Sequence, residues 1–143
     1  MFNEIDEIRI EKSKNTDKIR YIYFSDNLLL TLKPTNGLFT LSLFSAKKII
    51  NKTIPPRLRC VVLTEISEFI KKGRNVFCKH VVDIDYNLRA LDEVIVVNQN
   101  DELLGIGRLK IPVPYILNFK SGVATIVRRG VSKSKIKNSN KLY

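Results

Sequence analysis

The run Glu93-Val94-Ile95-Val96-Val97-Asn98 constrains this chain more than any other, because four consecutive β-branched residues bounded by polar ones form a strand. Gln99-Asn100-Asp101-Glu102 follows as a hairpin turn. Leu103-Leu104-Gly105-Ile106-Gly107-Arg108-Leu109 returns as the partner, its glycines allowing a tight bend or bulge. From Gly73 onward the texture is one of short strands: Val76-Phe77-Cys78, then Val81-Val82 beyond Lys79-His80, and a closing strand from Val123 to Arg128. Asp83 to Asn87 is a polar connection. Pro112 and Pro114 flank an edge, and Tyr115 to Phe119 is one helical turn ended by Lys120-Ser121-Gly122.

The preceding segment mixes strands and helices. Ile8 and Ile10, then Ile19, Tyr21 and Tyr23, alternate with polar residues, as half-buried strands do. Turns at Asn15-Thr16-Asp17, Ser25-Asp26-Asn27 and Pro34-Thr35-Asn36-Gly37 separate these from the runs Leu28–Leu32 and Leu38–Leu43. Ser45 caps a short helix over Ala46–Ile50, which Pro55-Pro56 stops. Arg59 to Leu63 is a buried strand. Thr64 caps a helix from Glu65 to Lys72, with acids leading, lysines closing and Gly73 at its C-terminal cap. The expected class is α+β: a small α/β domain over residues 1–72, a β-rich domain over 73–130, and a disordered basic tail over 131–143.

Two domains of this size, in a chain of 143 residues, are marginal alone and lean on one another. No stretch approaches the roughly 20 apolar residues that span a bilayer, and the acidic start, Met1 to Glu7, lacks the layout of a signal peptide. A cytoplasmic protein that does not enter membranes is expected. The net charge of +11 divides into +5 over residues 1–72, +2 over 73–130 and +4 over the tail. Charge so distributed favours polyanionic partners, nucleic acid or an anionic surface; the plainer reading is a solvated basic surface.

Chemistry of other kinds finds little to work with. Cys60 and Cys78 lie in apolar runs and read as buried free thiols; with His80 they make three metal ligands where structural zinc takes four. No metal or other cofactor is expected. A single histidine, His80, cannot supply a paired acid–base scheme. Asp83 and Asp85 share one strand face and Asp92-Glu93 point oppositely, as strand-end carboxylates that accept backbone hydrogen bonds do. Gly105-Ile106-Gly107 lacks the third glycine and following helix of a dinucleotide loop. No catalytic constellation emerges.

The order of motifs carries a resemblance. Gly73-Arg74-Asn75-Val76-Phe77-Cys78-Lys79-His80-Val81, Leu91-Asp92-Glu93-Val94-Ile95-Val96-Val97-Asn98, Glu102-Leu103-Leu104-Gly105-Ile106-Gly107-Arg108 and Gly122-Val123-Ala124-Thr125-Ile126-Val127-Arg128-Arg129-Gly130 together resemble a PUA domain. Leu30 to Gly37, Leu41-Ser42-Leu43 and Pro55-Pro56-Arg57-Leu58-Arg59-Cys60-Val61-Val62 are similar to the patch-forming (C2) domain that precedes PUA in archaeal tRNA-guanine transglycosylase and archaeosine synthase. The resemblance implies a small α/β patch domain followed by a PUA pseudo-barrel. It also implies that the pair holds tRNA while a separate catalytic barrel exchanges the base. The expected function is an accessory or subunit that grips structured RNA, the tRNA acceptor stem, for a transglycosylase or synthase on another chain. The alternatives are a freestanding PUA protein acting on rRNA or in translation, and a protein-interaction module that binds no RNA.

The resemblance places Phe77, Lys79 and His80 on the RNA-facing side. Lys79 then contacts phosphate, and Phe77 or His80 stacks on a base or a helix end. Phe77 has a second reading as core. Arg74, Arg108, Lys110, Arg128 and Arg129 are further candidates. Alternation sends one of Arg128 and Arg129 inward and the other outward, and Arg129 is favoured as the phosphate contact.

Overall fold

The alternation of the first residues becomes an antiparallel meander in the computed structural model, which describes residues 8–12, 19–24, 27–32, 39–119 and 121–132. The turns expected around Asn15–Asp17, residues 25–26 and Pro34–Gly37, and the basic tail beyond residue 132, lie outside the described residues. The chain divides into two compact units, Met1–Lys52 and Thr53–Tyr143.

In the first unit β1 (Ile8–Lys12), β2 (Ile19–Phe24), β3 (Asn27–Leu32) and β4 (Phe39–Leu41) pair in sequence order. Tyr21 and Tyr23 are half-buried, but so is Ile22 between them and Ile10 is exposed, so burial does not follow the expected alternation; the Arg9 guanidinium lies 4.2 Å from the Tyr23 ring centroid. The apolar run expected over Leu38–Leu43 does not stay extended. It breaks at Ser42, and α1 (Leu43–Lys52) begins there and lies against β3. Ser42, rather than Ser45, is the cap: its Oγ accepts from the Ser45 N–H at 3.1 Å, while the Ser45 Oγ accepts from the Ser42 N–H at 2.9 Å. This is a reciprocal capping box with serine in the place glutamate usually takes.

The second unit is a six-stranded sheet in the order β6-β10-β9-β8-β5-β7. Its members are β5 (Arg59–Val62), β6 (Val76–Phe77), β7 (Val81–Ile84), β8 (Glu93–Asn98), β9 (Leu103–Leu109) and β10 (Val123–Gly130). All neighbours are antiparallel except β5 and β8, which run parallel with Cys60 opposite Val96. The edge strands β6 and β7 are joined by only three residues, the 3₁₀ turn Cys78–His80. Three residues span about 10 Å at most, so the sheet must curl until its two edges meet. The result is the pseudo-barrel that the resemblance implies, and Cys60, Val76, Cys78, Val96, Leu104 and Val127 belong to its core.

The expected boundary at residues 72 and 73 moves to Lys52 and Thr53. The strand Arg59–Val62 sits inside the second sheet, and the helix after it packs on β8, β9 and β10. That helix comes in two pieces, a 3₁₀ turn Thr64–Ile66 and α2 (Ser67–Lys71), which insert Ile66 and Ile70 into the core. Thr64 does not cap it. Its N–H instead donates to the Gln99 side chain at 3.1 Å, tying the turn to the β8–β9 hairpin. Gly73 does close the helix, with φ of 93°: its N–H donates to the Ile70 carbonyl and that of Arg74 to the Phe69 carbonyl, the two bonds of a Schellman cap. The prolines expected at an edge start a helix instead, Pro112 as N-cap and Pro114 in the first turn of α3 (Val113–Asn118). Gly107 is required by close packing, since a Cβ there would run into the Ile126 carbonyl on β10.

Candidate nucleic-acid interface

Two of the three residues that close the sheet, Lys79 and His80, are candidates, and Phe77 directly precedes the turn. Phe77 pairs with Val123 across the β6–β10 ladder, and the Cys78 N–H donates to the Gly122 carbonyl at 2.9 Å. On the other side the His80 carbonyl accepts from the Leu63 N–H at 3.0 Å. The turn is thus held from both edges. Cys78 takes the inward position, so Phe77 is left 45% exposed and is not a core residue. Lys79 is exposed, and His80 is half-buried with its ring edge-on to Phe77, centroids 6.3 Å apart at 78°. Lys110, also exposed, joins this end of β10 through its N–H, which donates to the Ala124 carbonyl at 2.8 Å.

The arginines lie elsewhere. Arg74 follows the α2 cap and is exposed; its neighbour Asn75 accepts from the Val127 N–H through Oδ1 at 3.0 Å. β6 is antiparallel to β10, so Arg74 stands toward the far end of β10, where Arg129 is also exposed. Arg128 and Arg129 do not split inward and outward. The β9–β10 register shifts between Val127 and Arg129, and this bulge exposes both side chains. Arg128 reaches Glu93, its Nη1 2.7 Å from Oε1. Half-buried Arg108 stands opposite Glu93 in the β8–β9 register, so two candidate cations share one carboxylate's neighbourhood. The eight candidates therefore form three groups: Phe77, Lys79, His80 and Lys110; Arg74 and Arg129; Arg108 and Arg128.

The carboxylates and thiols do structural work. Asp85 accepts from the Leu58 N–H through Oδ2 and the Asn87 N–H through Oδ1, at 2.8 and 2.9 Å. Asp83 accepts from the Ile84 N–H, and Asp92 from the Arg89 N–H, each at 2.8 Å. Burial pushes the Cys60 thiol up to about 12, and raises that of Cys78 as well, so both stay protonated at neutral pH. Among the described residues no three His, Cys, Asp or Glu side chains gather as a metal site, and no helix is long and apolar enough to cross a membrane.

One surface feature escapes the sequence reading. Tyr115 on α3 and Phe119 just past its end stack with centroids 5.6 Å apart and planes 7° from parallel, and both are about half exposed. Their i, i+4 spacing within a helical turn was the available signal.

Comparison with known proteins agrees with this geometry. Residues 59–131 match the PUA domain family, and residues 1–56 match the patch-forming domain C2 of tRNA-guanine transglycosylase. The chain is 39% identical over 125 residues to a tRNA-guanine(15) transglycosylase of Methanothermobacter thermautotrophicus, an alignment covering 87% of this chain and 19% of that protein. To the protein of the same name from Thermococcus onnurineus it is 42% identical, covering 87% and 21%. The chain thus spans about a fifth of the length of these curated relatives. A hypothetical protein of Pyrococcus horikoshii OT3 shares the fold, with a TM-score of 0.71 at 16% identity over 92% of this chain and 78% of that one. With a sheet closed through the Cys78–His80 turn and a match running from Arg59 to Val131, the chain belongs to the PUA domain family, a C2-type patch domain preceding it.

Proposed function

We propose that this is an RNA-binding protein that grips the tRNA acceptor stem for archaeosine-type tRNA modification, the base exchange being performed by a transglycosylase or synthase on a separate chain. The observation that carries the reading is Phe77, a half-exposed aromatic ring at the end of β6, leading into a turn that is pinned from both edges of the sheet and bears exposed Lys79. A-form RNA hides its base edges in a deep, narrow groove, so a protein recognises a duplex end by its backbone and by stacking. Phe77 supplies the stacking face, braced by the edge of His80. Lys79 and Lys110 meet phosphates beside it, and Arg74 and Arg129 meet phosphates farther along. Arg108 and Arg128 add less charge, because Glu93 lies between them. The names of the relatives support tRNA as the RNA and a transglycosylase as the partner.

A salt titration of tRNA binding tests the grip. Each phosphate contact contributes roughly 0.7–0.9 to the slope of log K against log salt. The double variant Lys79→Ala/Arg129→Ala is expected to weaken binding and to flatten the slope by about 1.5. An unchanged slope removes these residues from the interface. Co-purification with a catalytic transglycosylase chain tests the partnership, and a preference for ribosomal particles over free tRNA would overturn it.

A further inference from the structure

We propose that β1 is a self-association edge: two copies of the chain pair β1 against β1, antiparallel, about a two-fold axis through Ile10. Among the described residues β1 pairs only with β2, so the other side of its backbone meets no strand. Arg9, Ile10, Glu11 and Lys12 are all exposed. An open edge of this kind is a template for another strand. The register against β2 is regular from Ile8 to Glu11 and shifts only at Lys12, so Arg9-Ile10-Glu11 lies in the regular part of β1.

The same three residues specify the occupant. Leu41, Leu30, Ile22 and Ile10 face one another in register across the four strands, an apolar row that ends at the edge on Ile10. Ile22, Leu30 and Leu41 are half-buried, whereas Ile10 is 52% exposed. A second Ile10 beside the first carries the row on into the next copy. Arg9 and Glu11 stand on the other face, beside Tyr23 and Tyr21 in the register. They pair with each other at 3.1 Å and still keep about half of their surface exposed. Read backwards, Arg9-Ile10-Glu11 is complementary to itself. An antiparallel pair centred on Ile10 sets each Arg9 against the Glu11 of the other copy, two opposite-charge pairs around an apolar contact. Parallel pairing in the same register would put like charges together, and a slip of one residue would bring Ile10 to the charged face. Charges at an edge ordinarily discourage strand pairing. Here they select one partner, the same strand of a second copy.

Sedimentation of the full chain without RNA, from about 10 μM to about 1 mM, tests the pairing, because so short a ladder makes a small interface and a weak dimer. Salt of about 0.15 M or more screens the repulsion between two copies of net charge +11. Reversible dimerisation is expected. Arg9→Glu and Glu11→Arg should each weaken it at least about tenfold, since each sets like charges against one another twice. Arg9→Glu/Glu11→Arg should restore it, and an equimolar mixture of the two single variants should form a heterodimer. Directly opposed residues of an antiparallel pair lie about 4.5–5.5 Å apart, within reach of a disulfide. Ile10→Cys should therefore cross-link two copies under mild oxidation, and Lys12→Cys should not. A chain that stays monomeric throughout overturns the proposal, and so do single variants that associate as the wild type does or fail to pair on mixing. An Ile10→Cys thiol that cross-links to a co-purified catalytic chain in place of a second copy makes the edge a dock for that chain, which also overturns it. The assay contains no RNA, so its failure leaves the RNA-binding reading standing.

Discussion

The Arg59 guanidinium, with no exposed surface, meets the carboxylate of Asp101, 42 residues away, with Nε 2.7 Å from Oδ1 and Nη2 3.2 Å from Oδ2. Its remaining donors reach the Arg57 carbonyl at 3.1 Å and the Thr53 hydroxyl and carbonyl at 3.0 and 3.3 Å. The pair fastens the start of β5 to the β8–β9 turn, where Asp101 holds a φ of 59°. Asp101→Asn tolerates that backbone but removes the charge and one of the two acceptor oxygens, leaving a buried cation uncompensated. It is expected to cost about 3 kcal/mol in urea unfolding, the low end for a broken buried pair because Asp101 keeps some exposure. A loss below about 0.5 kcal/mol would show that the pair does not fasten the hairpin.

Phe77 is exposed, so its truncation separates binding from folding. Phe77→Ala should leave the melting temperature within a degree or so of the wild type, since substitutions of exposed residues usually shift stability by less than about 0.5 kcal/mol. tRNA affinity should fall about tenfold, as loss of one base-stacking ring does. Phe77→Tyr should retain most of the affinity. A large stability loss with no change in affinity would return Phe77 to a purely structural role.

A second tie at the hairpin is sensitive to pH. The hydrogen bond from Lys71 Nζ, 3.2 Å from Glu102 Oε2, holds the Glu102 carboxyl below its usual value, aided by Asn98 Nδ2 at 2.8 Å, and Glu102 in turn raises Lys71. A lowered carboxyl stabilises the fold above its unfolded value and loses that contribution as pH falls through the folded value. A raised amine contributes fully below its unfolded value and loses it as pH rises through the folded one. Glu102→Gln should therefore be less stable than wild type by up to about 1 kcal/mol near neutrality, a surface-pair magnitude. The difference should shrink below about pH 4.3 and again above about pH 10.4. A constant difference across that range would show that the charged Lys71–Glu102 pair is not its cause.

Thiol labelling reports on the barrel interior. Cys60 has no exposed surface and Cys78 is 4% exposed, and burial raises both thiols. At pH 8 the native protein should react with a disulfide reagent far more slowly than the urea-unfolded chain, in which a thiol near 8.5 is partly ionised. Comparable rates in the two states would mean that the barrel opens readily around these residues.

Much of the second unit could be read residue by residue. The hairpin Glu93–Leu109, the final strand and the Gly73 cap rest on local signals: β-branched runs, a polar turn, and a glycine past a helix end. The strand Arg59–Val62 was also visible as a strand, yet its domain was not. Its partner β8 is parallel and lies more than thirty residues on, and no turn announces such a pairing. The shift from Ser45 to Ser42 as cap turned on where an apolar run stopped being extended. Arg128 defeated alternation because a bulge resets the strand's two-residue period.

The sequence by itself determined that the chain is α+β, that its second half is strand-rich, and that its motif order is that of a PUA domain. Local propensity and turn chemistry are enough for those conclusions. Only the tertiary structure decided that β6 and β7, separated by three residues, are opposite edges of one sheet. Closing those edges drives Cys78 inward and leaves Phe77 and Lys79 at the surface. That outcome depends on which face of a curved sheet meets the core, and the long-range pairing that sets the curvature is not written in any local run of residues.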